Sequence, residues 1–213
     1  MDLEDLARLR RANEAAGLDE SAIPADPMVL VAGWLGDAVD SGLAEPNAMV
    51  VATVGDDGVP SARLVLCKEL DERGPVFFTN YRSRKARELT AHPAVSLLFP
   101  WHPLGRQIRI QGYASQIEPA ESDAYFASRP RGAQLSAWAS EQSDVVPGRS
   151  VLEDRVAELE QRYPTAVPRP PHWGGIRVAP QVIEFWQSRP DRLHDRLLCR
   201  REDDRWTVTR LQP

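Results

Sequence analysis

Residues 48–80, "AMVVATVGDDGVPSARLVLCKELDERGPVFFTN", decide the architecture. Three short apolar runs, "AMVVATV", "SARLVLCKEL" and "GPVFFTN", are punctuated by the turn signals "GDDG" and "DERG". Two more runs follow, "AVSLLFP" and "RQIRIQGYASQI". Closely spaced strands of this kind point to an antiparallel barrel or sandwich, because turns of a few residues connect only neighbouring antiparallel strands.

Outward from this core the period changes to helical. Residues 3–16 read as a polar helix with Leu3, Leu6 and Leu9 on one side. Asp26 can cap a second helix that has Pro27 at its first position and runs to about Ser41. Met28, Val31, Trp34 and Leu35 then fall on its buried face. Beyond the strands, residues 119–129 start a helix at Pro119 and stop before Pro130. Residues 151–162 follow a capping box of Ser150 and Glu153. The proline-rich "YPTAVPRPPHWGG" leads to the last strands, "GGIRVAP", "QVIEFWQ", "RLHDRLLCR" and "RWTVTRLQP". No repeat or long linker divides the chain, so the expectation is one α+β domain over residues 1–213 around a β-barrel.

Composition narrows the function classes. The chain has 213 residues, 42% of them hydrophobic and 27% charged, and a net charge of −5. That balance suits a globular protein and argues against general nucleic-acid binding, which needs a basic face. "MDLEDLARLRR" is acidic and lacks an apolar segment, so no signal peptide is expected, and no run reaches the length of a membrane span. Two distant cysteines, Cys67 and Cys199, suit a reducing compartment, and a cytoplasmic location is expected.

Of 26 basic residues only Lys68 and Lys85 are lysines. A surviving lysine marks a place where a compact ammonium does what a planar guanidinium cannot. Lys85 lies in "YRSRKAREL", where Ser83 reads as a helix N-cap followed by Arg84 and Lys85. Cations at the positive end of a helix are mildly unfavourable unless an anion joins them there.

Other constellations allow two readings each. If "RLHDRL" is extended, Arg192, His194 and Arg196 share a face, either as an anion clamp or as the solvated side of an edge strand. Trp186 in the adjoining "EFWQS" adds a stacking surface. Tyr125 and Arg129, at i and i+4, could grip a phosphate, or the arginine could simply lie over a half-buried tyrosine. Strict alternation puts Arg63 and Lys68 on opposite faces, so a shared ligand requires the strand to bulge or end between them. His92, His102 and His172 lack metal-ligand spacing, and no phosphate loop or serine-hydrolase motif is present.

"ARLVLCKEL", "FFTNYRSRKAREL", "YFASRPRGAQLSAWASEQS" and "EFWQSRPDRLHDRL", with the terminal "RLQP", resemble the pyridoxamine 5′-phosphate oxidase family. The resemblance implies a flavin-binding split β-barrel of Greek-key type with flanking helices. It implies a homodimer holding two flavin mononucleotides (FMN) in its interface, each shared by both subunits. The family oxidises pyridoxine or pyridoxamine 5′-phosphate to pyridoxal 5′-phosphate by hydride transfer from C4′ to the flavin N5, and O₂ reoxidises the flavin to give H₂O₂.

Carried over by motif, Arg63, Leu64, Val65, Leu66, Cys67 and Lys68 would line the flavin together with Phe78 and Thr79. Ser83, Arg84 and Lys85 would hold its phosphate. Gln107, Gln142, Ser143, Trp186 and Arg196 would complete the cofactor site. Lys68, Tyr125 and Arg129 would grip the substrate phosphate, and Arg192 and His194 would orient the ring and serve the chemical step. Residues 1–25 would form a lid contributing Arg10, and residues 170–213 would supply dimerisation and active-site strands. Two positions depart from the pattern: Ala133 where the family commonly has serine, and Asn13 where it often has an aromatic lid residue. A paralogous oxidase of phenazine biosynthesis and a non-catalytic flavin or pyridoxal-phosphate binding module are the competing readings.

Overall fold

A computed structural model describes residues 17–213, so the helix expected over 3–16, with Arg10 and Asn13, lies outside the described residues. The strands are β1 (Ala48–Val54), β2 (Pro60–Leu66), β3 (Glu69–Asp71), β4 (Gly74–Asn80), β5 (Ala94–Phe99), β6 (Arg106–Gln116), β7 (Trp173–Gln187), β8 (Asp195–Glu202) and β9 (Arg205–Arg210). The helices are α1 (Pro27–Asp40), α2 (Arg84–Ala91), α3 (Pro119–Ser128), α4 (Arg131–Ala139) and α5 (Arg149–Arg162). All strand pairs are antiparallel. This is the expected α+β split barrel.

The sheet runs β2-β1-β5-β6-β7-β4-β3, and β8 and β9 extend from β7. The two ends of that path are joined by only Cys67 and Lys68. The Cys67 N–H donates to Asn47 O, on the β1 side, and the Lys68 N–H donates to Val76 O on β4, each at 2.8 Å. "SARLVLCKEL" is therefore two strands with a corner between them, and the corner curls the sheet upon itself.

β7 is the second organiser. The sequence reads as two strands around Pro180, yet one 15-residue strand spans them. Gln111 pairs with Val182 and Gly112 with Pro180, so Gln181 is the extra residue of a bulge. A bulge tolerates a proline, because the ladder is locally broken where its missing N–H would be needed. One edge of β7 pairs with β6 throughout. The other pairs first with β4, through Trp173–Arg177, and then with β8, through Val182–Gln187.

Alternation along β4 builds two cores. Phe77 packs with Met49, Leu97, Ile108, Phe185 and the α1 residues Val31 and Trp34 inside the barrel. Its neighbour Phe78 faces the opposite way, against Phe126, Leu135 and Trp173 beneath α3–α5. The N-cap of α1 is Asp26, whose side chain accepts from the Met28 N–H. Two helix expectations fail. α5 begins two residues early with Gly148 as N-cap, so Ser150 sits inside the first turn and no Ser150–Glu153 box forms; Glu153 instead accepts from Arg149 Nε at 2.7 Å. α4 has no counterpart in the sequence reading, because its short "RGAQLSAWA" follows Pro130 directly and carries a glycine and a serine.

A Cβ on Gly112 would lie 2.0 Å from the backbone oxygen of Ala179 on β7. Gly112→Ala should therefore destabilise the fold by about 1–3 kcal/mol, the usual cost of overpacking. Urea unfolding measures this, and an unchanged midpoint would mean that β7 yields at its bulge.

Candidate functional site

The corner after β2, the outer face of β4 and the helices α3 and α4 enclose a cleft of about 560 Å³. Arg63, Leu64, Val65, Leu66, Lys68, Phe78, Thr79, Lys85, Tyr125, Arg129 and Gln142 all line it. Arg63 and Lys68 reach the same space because β2 ends at Leu66, which removes the alternation that would have separated them. Both lysines of the chain thus serve one cleft. Leu64 is 67% exposed there, an apolar surface left open in the single chain.

One end of the cleft is the start of α2. Ser83 is its N-cap residue, but the hydroxyl does not cap; it lies 3.4 Å from Lys85 Nζ. Lys85 turns inward, only 8% exposed, and donates to Thr79 Oγ1 at 3.0 Å. Burial, then repulsion from Arg63, lowers its pKa to about 8. Arg84 turns away from the cleft floor, with Nε on Glu88 Oε1 at 2.7 Å, while its backbone N–H donates to Ser143 Oγ at 3.1 Å. Gln142 Oε1 accepts from Thr79 Oγ1 at 3.0 Å and from the Asn80 N–H at 3.3 Å. Together these groups present positive charge at a helix N-terminus, the ingredients of an anion site.

The other end is aromatic and cationic. Phe78 and Tyr125 stack with centroids 3.8 Å apart, and Trp173 stacks on Phe78 at 5.4 Å. The Arg129 guanidinium lies 4.4 Å over the Trp173 ring. Arg129 is not on the helix with Tyr125 as expected: α3 ends at Ser128 and Arg129 adopts extended backbone before Pro130. The two side chains still meet in the cleft. Arg129 Nη1 is buried without a hydrogen-bond partner, and burial lowers the arginine's pKa while Tyr125 opposes the shift. A buried N–H donor without an acceptor is costly, which points to a ligand oxygen at this position.

The remaining expected residues lie elsewhere in the chain. Cys67 does not line the cleft; it is buried behind the corner, its Sγ 3.2 Å from Glu69 O, and burial pushes the thiol up to about 11. Gln107 and Trp186 are register partners across β6 and β7 and line a second cleft of about 280 Å³. Trp186 packs against His194 with centroids 4.6 Å apart. The predicted strand face of Arg192, His194 and Arg196 does not form. Asp191 and Arg192 have positive φ, 55° and 63°, which turns the chain, and β8 starts only at Asp195. The turn aims His194 back, so its Nδ1 accepts the Arg189 N–H at 3.1 Å. Arg196 bonds Glu184 Oε1 at 2.7 Å, and Glu184 also accepts from Arg109.

Sequence reading missed Glu88, Trp173 and Glu184. The i,i+4 spacing of Arg84 and Glu88 was a visible signal; the other two depend on which strands become neighbours. Among the described residues, no His, Cys, Asp and Glu cluster could hold a metal ion. No described helix is long and apolar enough to cross a membrane.

Residues 35–163 match the sequence model of pyridoxamine 5′-phosphate oxidase, and residues 173–213 match that of the pyridoxine 5′-phosphate oxidase C-terminal dimerisation region. The chain belongs to the pyridoxamine 5′-phosphate oxidase family. It is therefore an oxidoreductase of that type. The pyridoxine/pyridoxamine 5′-phosphate oxidase of Thermosynechococcus vestitus is 57% identical over 98% of this chain and 99% of its own length. The Burkholderia lata protein of the same name is 53% identical over 98% of this chain and 99% of its own length. The structure of PhzG from Burkholderia lata 383, in complex with tetrahydrophenazine-1-carboxylic acid, superposes with a TM-score of 0.89 at 36% identity, covering 95% of this chain and all of that one.

Lys85 yields a pH prediction for this family member. Its folded pKa lies below the ordinary value, so between about 8 and 10.5 the unfolded chain binds more protons and the ligand-free fold gains stability as pH rises. Anion binding runs the other way, because a neutral Lys85 attracts no phosphate. Affinity for a phosphate monoester should fall as pH rises through about 8, and Lys85→Met should flatten that dependence in a binding titration.

Proposed function

We propose that the chain is an FMN-dependent oxidase that converts pyridoxine 5′-phosphate and pyridoxamine 5′-phosphate to pyridoxal 5′-phosphate, with O₂ as electron acceptor and H₂O₂ as by-product. The observation that carries this reading is the buried, unpartnered Nη1 of Arg129 in the cleft with Lys68 and Tyr125. It leaves a second phosphate site at the end of the cleft away from Lys85. One cleft with two phosphate-binding ends suits a phosphorylated cofactor beside a phosphorylated substrate.

The residues at the first end fit FMN. Lys85, the N–H groups of α2 and Arg84 suit its phosphate. Arg63, which lies beside Lys85 and Glu88, belongs to that phosphate end, and Thr79 and Gln142, with the apolar Leu64 to Leu66, suit its ring system. When bound, the flavin supplies the redox chemistry, taking two electrons from the substrate and passing them to O₂. The chain's own residues bind and orient. Lys68, Tyr125 and Arg129 fix the substrate phosphate, and Trp173 keeps the Arg129 guanidinium flat beneath it.

Arg192 and His194 act on the ring end. With Nδ1 accepting from the Arg189 N–H, a neutral His194 carries its proton on Nε2 and offers a donor there. These two residues, with Trp186 and Arg196, do not line the cleft. The reading is therefore that a second copy supplies them, supported by the match of residues 173–213 to a dimerisation region. In this homodimer each flavin is shared, and residues 1–213 act as one domain. Two free, buried thiols support a cytoplasmic location.

The likeness to PhzG favours a second reading, an oxidase of phenazine biosynthesis. Identity weighs against it, since within Burkholderia lata the vitamin B6 enzyme is 53% identical and PhzG 36%. A carboxylate ligand without phosphate also has less use for the set of Lys68, Tyr125 and Arg129.

The deciding experiment is a visible spectrum of the purified protein without oxygen, before and after adding pyridoxine 5′-phosphate. A yellow protein whose flavin band bleaches supports the B6 oxidase. A yellow protein that does not bleach moves the assignment to the phenazine-type oxidase or to a binding module. Arg192→Ala should lower turnover more than tenfold while flavin content stays normal; equal loss of both would remove Arg192 from the chemical step.

A further inference from the structure

A carboxylate lies behind the anion end of the cleft, which at first sight works against it. Glu88, on α2, is 7% exposed. Its Oε2 accepts from Thr53 Oγ1 at 2.5 Å, Ser61 Oγ at 2.8 Å and Arg63 Nη2 at 3.4 Å, and its Oε1 from Arg84 Nε at 2.7 Å. Four donors from β1, β2 and α2 therefore meet one side chain. Burial raises its pKa, but the hydrogen bonds of Thr53, Arg84 and Ser61 outweigh that and hold the carboxyl near 2, so it is charged at any working pH.

Without Glu88, three cations, Arg63, Arg84 and the buried Lys85, would face one another with no counter-charge. With it the cluster carries a net charge of +2, the complement of a phosphate monoester dianion. Its contacts also fix the guanidinium planes. Arg63 is locked on Thr53 at 2.5 Å and Ser61 at 2.6 Å, whereas Arg84 is held through Nε alone. The two Nη groups of Arg84 donate to no described residue.

We propose that Glu88 is the resident counter-ion of the FMN-phosphate site. It is a positioning residue that holds Arg63 and Arg84 in place and stabilises the flavin-free chain, and its charge repels the incoming phosphate and so sets an upper limit on cofactor affinity. This rests on the flavin reading above and deepens it. The device lets the chain fold before its cofactor arrives, at the cost of weaker retention afterwards.

Glu88→Gln tests the charge while keeping the shape. The amide oxygen can still accept from Arg84 Nε, and the amide nitrogen can donate to the hydroxyls of Thr53 and Ser61. Stripped wild-type and variant proteins are titrated with FMN and with riboflavin, which lacks the phosphate, by quenching of flavin fluorescence. The dissociation constant for FMN should fall about tenfold, the effect of removing one charge several ångströms from a dianion near a protein surface. Affinity for riboflavin should stay unchanged, and the flavin-free variant should melt at a lower temperature.

Unchanged or weaker FMN binding would overturn the proposal, as would equal shifts for both ligands, which would mark a structural role only. If the stripped variant does not fold, flavin release from the diluted holoprotein decides. Release slower than in the wild type supports the proposal, and equal or faster release overturns it. A wild-type protein that binds neither flavin would sink the functional reading itself, a result distinct from all of these.

Discussion

The fold depends on a hand-over of hydrogen bonds at Cys67 and Lys68. Backbone N–H groups of adjacent residues point in opposite directions in extended chain, so Cys67 can finish the ladder toward β1 while Lys68 begins the ladder toward β4. That single corner converts an open sheet into a curled one. It also brings the end of β2 against the outer face of β4, which is where the cleft lies. Burying the Cys67 thiol behind the corner and presenting Lys68 in front are two sides of the same geometry.

Electrostatics in the cleft follows from how its cations are held. Lys85 is compact enough to be buried among hydroxyls, and its depressed pKa reflects the cost of that burial. Arg63 and Arg84 are held by Glu88, a carboxylate that is itself nearly inaccessible, and away from the cleft Glu184 does the same between Arg109 and Arg196. A planar guanidinium with one edge fixed offers its other edge in a defined direction, which a free side chain would lose entropy to reach. Arg129 reaches the same end by lying on Trp173.

The strained turn at Asp191 and Arg192 belongs to the same logic. Two successive non-glycine residues at positive φ are costly, and such strain persists where surrounding structure enforces it. Here it redirects His194 toward Trp186 and the Arg189 N–H. The group it organises sits apart from the cleft of its own chain. A single chain therefore holds one set of residues in the cleft between β2, β4 and the helices and another set, on β6–β8, apart from it.

Much of this was legible in the sequence. The turn signals in residues 48–80 marked the antiparallel strands, the two lysines marked the cleft, and Arg84 with Lys85 marked the helix start at one end of it. Motif resemblance named the family. Local pattern reading failed where a residue's conformation is set by distant neighbours. Pro180 reads as a strand break until β6 offers a bulge opposite it. "RLHDRL" reads as extended until two positive φ angles turn it. Arg63 and Lys68 read as opposed until the corner ends the strand between them. Glu88 shows only its i,i+4 spacing to Arg84, and Trp173 and Glu184 carry no local signature that separates them from ordinary strand residues. Side-chain period and turn chemistry depend on a few adjacent residues, so the sequence determined the elements and their cationic equipment by itself. Which cations share a cleft, and which carboxylate or ring fixes them, depends on the closure of strands far apart in the chain, and only the tertiary structure decided that.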